Sequence, residues 1–180
     1  MRWATIKFHS RCEGCRGFTL IEVLLTNSVL GILVTLALPN LGGLMAKWQR
    51  DSATRAFVDH LQLARAMAIK SSKRVVVCCS ENGIQCTDSS EADWRHGWLI
   101  FRDENANKAF DQTDTVIAVA GPRSGLISFR SSNHVRRFDF LPSGLMASGM
   151  SSMVVSPTSG APMRIIVNRV GRLRLSEAGE

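Results

Sequence analysis

Four arginines stand close together near the end of the sequence: Arg164, Arg169, Arg172 and Arg174. Guanidinium groups bind phosphates well because each offers planar pairs of N–H donors. Arg172 and Arg174 are two residues apart, so in a strand they would project from the same side. The cluster therefore suits a row of phosphates, although charged side chains also protect ordinary edge strands.

The charge of the whole chain permits an anionic partner without requiring one. The formal net charge is +7, and the first 17 residues contribute +3 of it through four basic residues and one acidic residue. Soluble proteins often carry the remaining excess without binding nucleic acid. The positions of the charges, and not their sum, must therefore indicate whether the protein binds an anionic partner.

The five cysteines fall into two groups. Cys12 and Cys15 form a CxxC without a second CxxC, so no zinc site is expected. Cys78, Cys79 and Cys86 are an odd number, which predicts one disulfide and one remaining thiol outside the cytoplasm. Neighbouring residues of a strand point to opposite faces, so only one of Cys78 and Cys79 can face Cys86.

Other potentially reactive side chains lack catalytic or metal-binding spacing. The histidines are scattered: His9, His60, His96 and His134. Asp103, Asn105 and Asn107 follow the first half of a calcium loop. However, Lys108 stands where that loop needs glycine and Asp114 where it needs glutamate, so we expect a hairpin turn. No enzyme activity, no metal and no cofactor are predicted.

The first of the elements that must position these residues is an apolar segment. Residues 18–38 read FTLIEVLLTNSVLGILVTLAL, and Glu22 is their one charged side chain. A helix of this length covers the hydrocarbon layer of about 30 Å. Four basic residues precede the segment and none lies within it, which predicts a cytoplasmic leader and an exported body. A secretory signal peptide would be cut after its apolar stretch, whereas Arg16-Gly17-Phe18 lies before it.

The rest of the chain predicts an α+β fold, a long N-terminal helix packed on a mostly antiparallel sheet or sandwich. The helix should run from about Phe18 to about Ser71, with residues 39–71 forming an amphipathic stem. An apolar stripe recurs there at helical spacing: Phe57, Leu61, Ala64 and Ala68. Short segments typical of strands follow: 74–79, 97–101, 115–119, 126–130, 136–141, 153–156, 163–168 and 172–175. RFDF and RLRL alternate in polarity, as a sheet with one solvent-facing side requires.

GFTLIE, Gly17 to Glu22, resembles the start of type IV prepilins. The resemblance implies that a prepilin peptidase cuts after Gly17, removes the leader 1–17 and methylates Phe18. Residues 18–38 would then hold the protein in the inner membrane by a single pass, with the body in the periplasm, before assembly into a pilus or pseudopilus. It also implies that Glu22 sets the register of assembly against the N-terminal amine of a neighbouring pilin. Pro39 matches a proline that bends the helix in this family.

The body, residues 72–180, resembles the FimT/GspH family of minor pilins and pseudopilins. The resemblance lies in VVVCCSENGIQC, in the GW-aliphatic-Phe segment and in the closing VNRVGRLRL, and it favours the FimT-like branch. The spacing of the family's loop favours a Cys78–Cys86 disulfide, with Cys79–Cys86 as the alternative; the double cysteine departs from the family pattern.

The closing segment carries a functional implication of the same resemblance. In FimT-like minor pilins a C-terminal GRxR segment is implicated in DNA binding during natural transformation, and Gly171–Arg174 matches it. This implies phosphate-mediated, non-specific binding of duplex DNA by the C-terminal arginines: Arg164, Arg169, Arg172 and Arg174. Two alternatives are a purely structural or assembly-initiating minor pilin and a GspH-like pseudopilin of a type II secretion system.

Overall fold

A computed structural model describes residues 17–87, 89 and 92–177. Helix α1 spans Leu20–Ser71, and a short 3-10 helix spans Trp94–His96. The strands are β1 Arg74–Cys79, β2 Trp98–Asp103, β3 Thr115–Ala120, β4 Leu126–Ser131, β5 Arg137–Phe140, β6 Ser151–Pro157, β7 Met163–Val167 and β8 Leu173–Glu177. The leader up to Arg16, with its CxxC, lies outside the described residues.

The chain divides into two compact units, with the boundary between Asn40 and Leu41. In the first unit, Thr19 begins the helix, because its hydroxyl accepts a hydrogen bond from the Glu22 N–H at 3.3 Å. Side chains from Leu20 to Thr35 are exposed. Among the residues that the structure describes, no helix has the length and hydropathy needed to cross a membrane.

The second unit is built around the apolar stripe of α1. Phe57, Leu61, Ala64 and Ala68 are all buried, which confirms the face expected from their spacing. Phe57 is the centre of an aromatic cluster, with ring centroids 4.9–5.9 Å away in Trp94, Trp98, Phe129 and Phe138. These rings come from the 3-10 helix and the strands that follow α1. One core therefore contains residues of the helix and of the strand-rich body.

Eight antiparallel strands form two sheets that share this core. The first sheet has the order β3-β2-β1-β5 and the second has the order β4-β6-β7-β8. Residues of the inner faces, such as Val77 and Ile100 in the first sheet and Val155 and Ile165 in the second, pack in one cluster with the helix. The α+β prediction, a helix on antiparallel sheets, is confirmed.

The first sheet also carries apolar residues on its outer face. Val76, Cys78, Leu99 and Phe101 are fully or almost fully buried there, and Cys86 and Phe110 cover them. A disulfide joins Cys78 to Cys86, one of the two pairings that the sequence leaves open. Cys79 points to the inner face, where burial raises the pKa of its thiol to about 12.

The alternation in RFDF gives a wrong prediction at one position. Asp139 shares the outer face with Val76, its partner on β1, yet it is only 8% exposed. The guanidinium groups of Arg74 and Arg137 lie 4.0 and 3.9 Å from its carboxylate. Burial raises the pKa of Asp139, and these two cations oppose that rise. The outer side of β5 is therefore covered at Asp139, whereas Arg137 on the same side is exposed.

Candidate nucleic-acid interface

Two of the four C-terminal arginines lie on the outer face of the second sheet. Arg164 pairs with Ser176, and Ile166 pairs with Arg174. Ile165 is buried in the core, so the alternating side chains of Arg164 and Arg174 point away from it. Diagonal neighbours of this kind have Cα atoms about 7–8 Å apart. The sheet thus places two guanidinium groups side by side on one surface.

The other two arginines belong to the turn between β7 and β8. Asn168 holds this turn: its side-chain oxygen accepts hydrogen bonds from Val170 N–H at 3.1 Å and Arg172 N–H at 2.8 Å. Its backbone N–H also donates to the Arg172 carbonyl at 3.1 Å. Gly171 has a φ of +73°, which favours glycine. Asn168 is not among the residues predicted from the sequence, although asparagine and glycine are both residues that turns favour.

The turn is fastened to the rest of the body from two directions. Met146 N–H donates to the Arg169 carbonyl at 2.9 Å. A Cβ at Gly171 would lie 2.9 Å from Cδ of Arg65, so glycine lets the turn approach the helix closely. Arg65 itself is held by a hydrogen bond from its Nε to the Gly144 carbonyl at 3.1 Å. The arginine-bearing hairpin is therefore a fixed structure.

No acidic group neutralises the hairpin within the described part of the chain. Its four guanidinium groups form no hydrogen bond or ion pair there: Arg164, Arg169, Arg172 and Arg174. Glu177 pairs with Met163 and shares the inner face with Leu173, and its carboxylate lies 3.9 Å from Nη2 of Arg50. Glu180 lies outside the described residues.

The neighbouring strands extend this surface with hydroxyl groups. Pairing across the sheet aligns Ser132, Ser152, Ile166 and Arg174 in one row and Arg130, Val154, Arg164 and Ser176 in the next. No described position in these rows is acidic. We call this outer face of the second sheet, together with the β7–β8 turn, the arginine face.

Arg130 also belongs to the arginine face, because the register of β4 places it opposite Val154. No local sequence pattern indicates this position. It differs from the C-terminal arginines in having a partner. Its Nε donates to Oδ2 of Asp93 at 3.2 Å, and Asp93 is only 4% exposed. Its charge is thus partly neutralised.

The residues expected for processing and assembly lie together at the start of the described chain. Gly17 and Phe18 precede α1 and are exposed. Glu22 occupies the first helical turn, where a carboxylate interacts favourably with the helix dipole. It forms no ion pair with any described residue, so its carboxylate is available to an outside partner.

The loop that resembles half of a calcium site satisfies its own carboxylates. Asp103 accepts hydrogen bonds from the backbone of Asn107 and Lys108, both at 3.1 Å. Hydrogen bonds from Thr113 and Asn105 lower the pKa of Asp111 to about 2. Across the described residues, no group of three or more His, Cys, Asp or Glu side chains could hold a metal ion.

A long N-terminal helix packed on two antiparallel sheets is the architecture of type IV minor pilins and pseudopilins. The family model described as "Type II transport protein GspH" matches residues 53–171. The chain therefore belongs to the GspH family, and it is a minor pilin or pseudopilin of the GspH/FimT type.

Known relatives agree with this assignment. The chain is 30% identical over 173 residues to the pilin-like protein PilA1 of Thermus thermophilus, covering 89% of this chain and 97% of that protein. Its fold is similar to the minor pilin FimU of Pseudomonas aeruginosa, with a TM-score of 0.58, 14% identity, and coverage of 74% and 92% of the two chains. It is also similar to the minor pseudopilin EpsH of Vibrio cholerae, with a TM-score of 0.50, 17% identity, and coverage of 73% and 99%.

Proposed function

We propose that this minor pilin is a type IV pilus subunit that binds duplex DNA non-specifically during natural transformation. One observation carries the proposal: the C-terminal arginines are exposed and unpaired within the described chain, and the described positions in the two outer-face rows of the sheet lack acidic residues. Phosphate contacts by such groups give affinity without reading sequence. The protein would act by holding DNA and would perform no catalysis.

The fixed hairpin strengthens this proposal. Asn168, Arg65 and the bond from Met146 to Arg169 hold the turn, so little backbone freedom is lost when a phosphate row binds. Each subunit should bind weakly, because only a few phosphates are contacted. Four engaged arginines correspond to a slope of log K against log salt of roughly −3 to −4.

Duplex binding by matched variants tests the proposal. The full chain in a non-ionic detergent is titrated into labelled duplex DNA at low salt. Replacing Arg172 and Arg174 together by glutamine should weaken binding about tenfold. The control is Arg55→Gln with Lys70→Gln, which removes the same charge from exposed positions on the helix. If both double variants bind like the wild type, or if no protein binds, the proposal is wrong.

We also propose the assembly route that the N-terminus indicates. The prepilin peptidase cuts after Gly17 and methylates Phe18, residues 18–38 anchor the protein in the inner membrane, and Glu22 pairs with the N-terminal amine of a neighbouring pilin. An unpaired carboxylate in an apolar helix is costly, which supports a partner for Glu22. Glu22→Ala should stay in the membrane fraction but be lost from sheared fibres. Normal amounts of this variant in fibres would contradict the role in register.

The match to the type II transport family favours a second candidate, a pseudopilin of a type II secretion system. This candidate, like a purely structural minor pilin, requires no DNA binding. Deletion of the gene separates the candidates. Loss of secreted enzymes with normal DNA uptake would favour the pseudopilin, whereas loss of DNA uptake with normal secretion would favour the DNA-binding pilin.

A further inference from the structure

A second basic surface lies on the other sheet, in a cleft of about 530 Å³. Three segments far apart in the sequence form its walls: Gln85 to Thr87 at the end of the disulfide loop, Lys108 to Phe110 between β2 and β3, and Val135 to Arg137 at the start of β5. Cys78 and Ser148 complete the lining. The volume falls within the range of about 300–1,000 Å³ typical of ligand pockets.

The charge of the cleft is positive. Lys108, Arg136 and Arg137 line it, and none of its lining residues among those that the structure describes is acidic. Asp139, 3.9 Å from Nε of Arg137, is buried and is not among the lining residues. An anionic ligand would therefore meet Lys108 and Arg137 without meeting a carboxylate among the described wall residues.

The basic walls are held in place by the fold. Nη1 of Arg137 donates a hydrogen bond to the Lys108 carbonyl at 3.1 Å, which ties two of the three segments together. Lys108 has a φ of +66°, and its N–H donates to the buried Asp103 carboxylate at 3.1 Å. The Lys108 ammonium forms no hydrogen bond or ion pair with a described residue, so it is available to a ligand.

An aromatic ring stands beside these cations. Phe110 is half-buried, lines the cleft, and packs against Phe101 at a centroid distance of 5.1 Å. It belongs to the apolar layer that includes the disulfide. A ring fixed in this way is a suitable platform for stacking a planar group.

We propose that this cleft binds an unpaired nucleotide of a DNA strand, and the proposal rests on DNA being the ligand of the protein. The phosphate binds Lys108 and Arg137, and the base packs against Phe110. Gln85 and Thr87 offer hydrogen-bonding groups to the base edge. A nucleotide uses the cations, the ring and the polar wall together, whereas the carboxylates of an acidic peptide would engage only the cations. The arginine face holds duplex, and the cleft holds a frayed or single-stranded end.

Binding of a short labelled oligothymidylate to the full chain in non-ionic detergent tests the cleft. Phe110→Leu keeps an apolar side chain against Phe101 but removes the stacking ring, and it should lower affinity about fivefold or more. Lys108→Gln should lower affinity by a smaller factor. Lys70→Gln, an exposed lysine outside both surfaces, should bind like the wild type. Thermal unfolding of each variant verifies that the fold is intact.

Binding of blunt duplex DNA distinguishes the cleft proposal from the proposal that the arginine face binds duplex. Phe110→Leu should leave duplex affinity unchanged, because paired bases cannot reach the ring. If the arginine double variant loses duplex binding but Phe110→Leu and Lys108→Gln bind the oligothymidylate normally, the cleft proposal is wrong and the duplex proposal stands. If oligothymidylate binding depends on Phe110 and duplex binding does not depend on Arg172 and Arg174, the duplex proposal is wrong and the cleft proposal stands. Competition by oligoglutamate as strong as by the oligonucleotide would overturn the nucleotide assignment.

Discussion

The outer faces of the two sheets differ in composition and in exposure. On the first sheet, loops fold over Val76, Leu99 and Phe101 and close an apolar layer that the disulfide joins. On the second sheet, the corresponding side carries serines and arginines with no described acid among them. A covered face stabilises the body, whereas an open face of one charge is free to bind.

This difference separates residues that matter for folding from residues that matter for duplex binding. Changes on the first sheet's outer face should lower the free energy of unfolding and leave duplex binding by the folded protein intact. Changes on the arginine face should weaken duplex binding and leave the free energy of unfolding nearly unchanged.

The largest effect is expected from Phe101→Ala. The side chain is fully buried between Phe110 and the sheet, so its removal leaves a cavity. We expect the free energy of unfolding to fall by about 3–5 kcal/mol in urea titrations. The matched change on the second sheet is Ile166→Ala, on the exposed side of β7, which should cost no more than about 1 kcal/mol. Equal losses in the two variants would contradict the contrast between the faces.

Removal of the disulfide should have the next largest effect. Cys78 and Cys86 are 8 residues apart, and opening so short a loop in Cys86→Ser should cost about 2–3 kcal/mol on the chain-entropy model. Reducing agent should destabilise the wild type and have no further effect on this variant. Duplex affinity of the folded variant should be unchanged. A loss of duplex binding here would show that the two faces are not independent.

A smaller effect involves pH and the core beneath the first sheet. Trp98 Nε1 donates to Nδ1 of His60 at 2.8 Å, and the Arg123 guanidinium lies 5.0 Å from the Trp98 ring centroid. Burial, and secondarily Arg123, lower the pKa of His60, while Asp59 opposes them. The folded state therefore binds fewer protons than the unfolded state, and stability should fall as the pH drops below about 6.5.

His60→Asn tests this assignment because it keeps an acceptor for Trp98 without a titrating group in this range. The variant should lose part of the fall in stability between neutral pH and pH 5, measured by urea unfolding. Duplex binding by the folded protein should stay constant over the same range, since arginine remains charged. An identical pH dependence in variant and wild type would remove His60 from this role.

Periodic patterns allowed much of the fold to be predicted from the sequence. The stripe from Phe57 to Ala68 repeats at helical spacing, and the strand segments are short and bounded by turn residues. The position of Arg172 and Arg174 near a glycine turn was also visible. These features depend on neighbours in sequence, which a pattern can show.

Features that depend on strand register were beyond the sequence. The burial of Asp139, the place of Arg130 on the arginine face, and the meeting of Lys108, Phe110 and Arg137 all require knowing which strands pair and which loops fold over them. The choice between Cys78 and Cys79 was open for the same reason. Only the register sends Cys79 into the core and Cys78 to the outer layer.

The most direct test of the central proposal is the salt dependence of duplex binding. For the wild type, log K should fall with log salt at a slope of about −3.6, as expected for four phosphates. The Arg172→Gln, Arg174→Gln variant should show a slope of about −1.8, because two contacts are lost. The Arg55→Gln, Lys70→Gln control should keep the wild-type slope. Equal slopes in the arginine variant and the wild type would contradict the assignment of the arginine face to DNA.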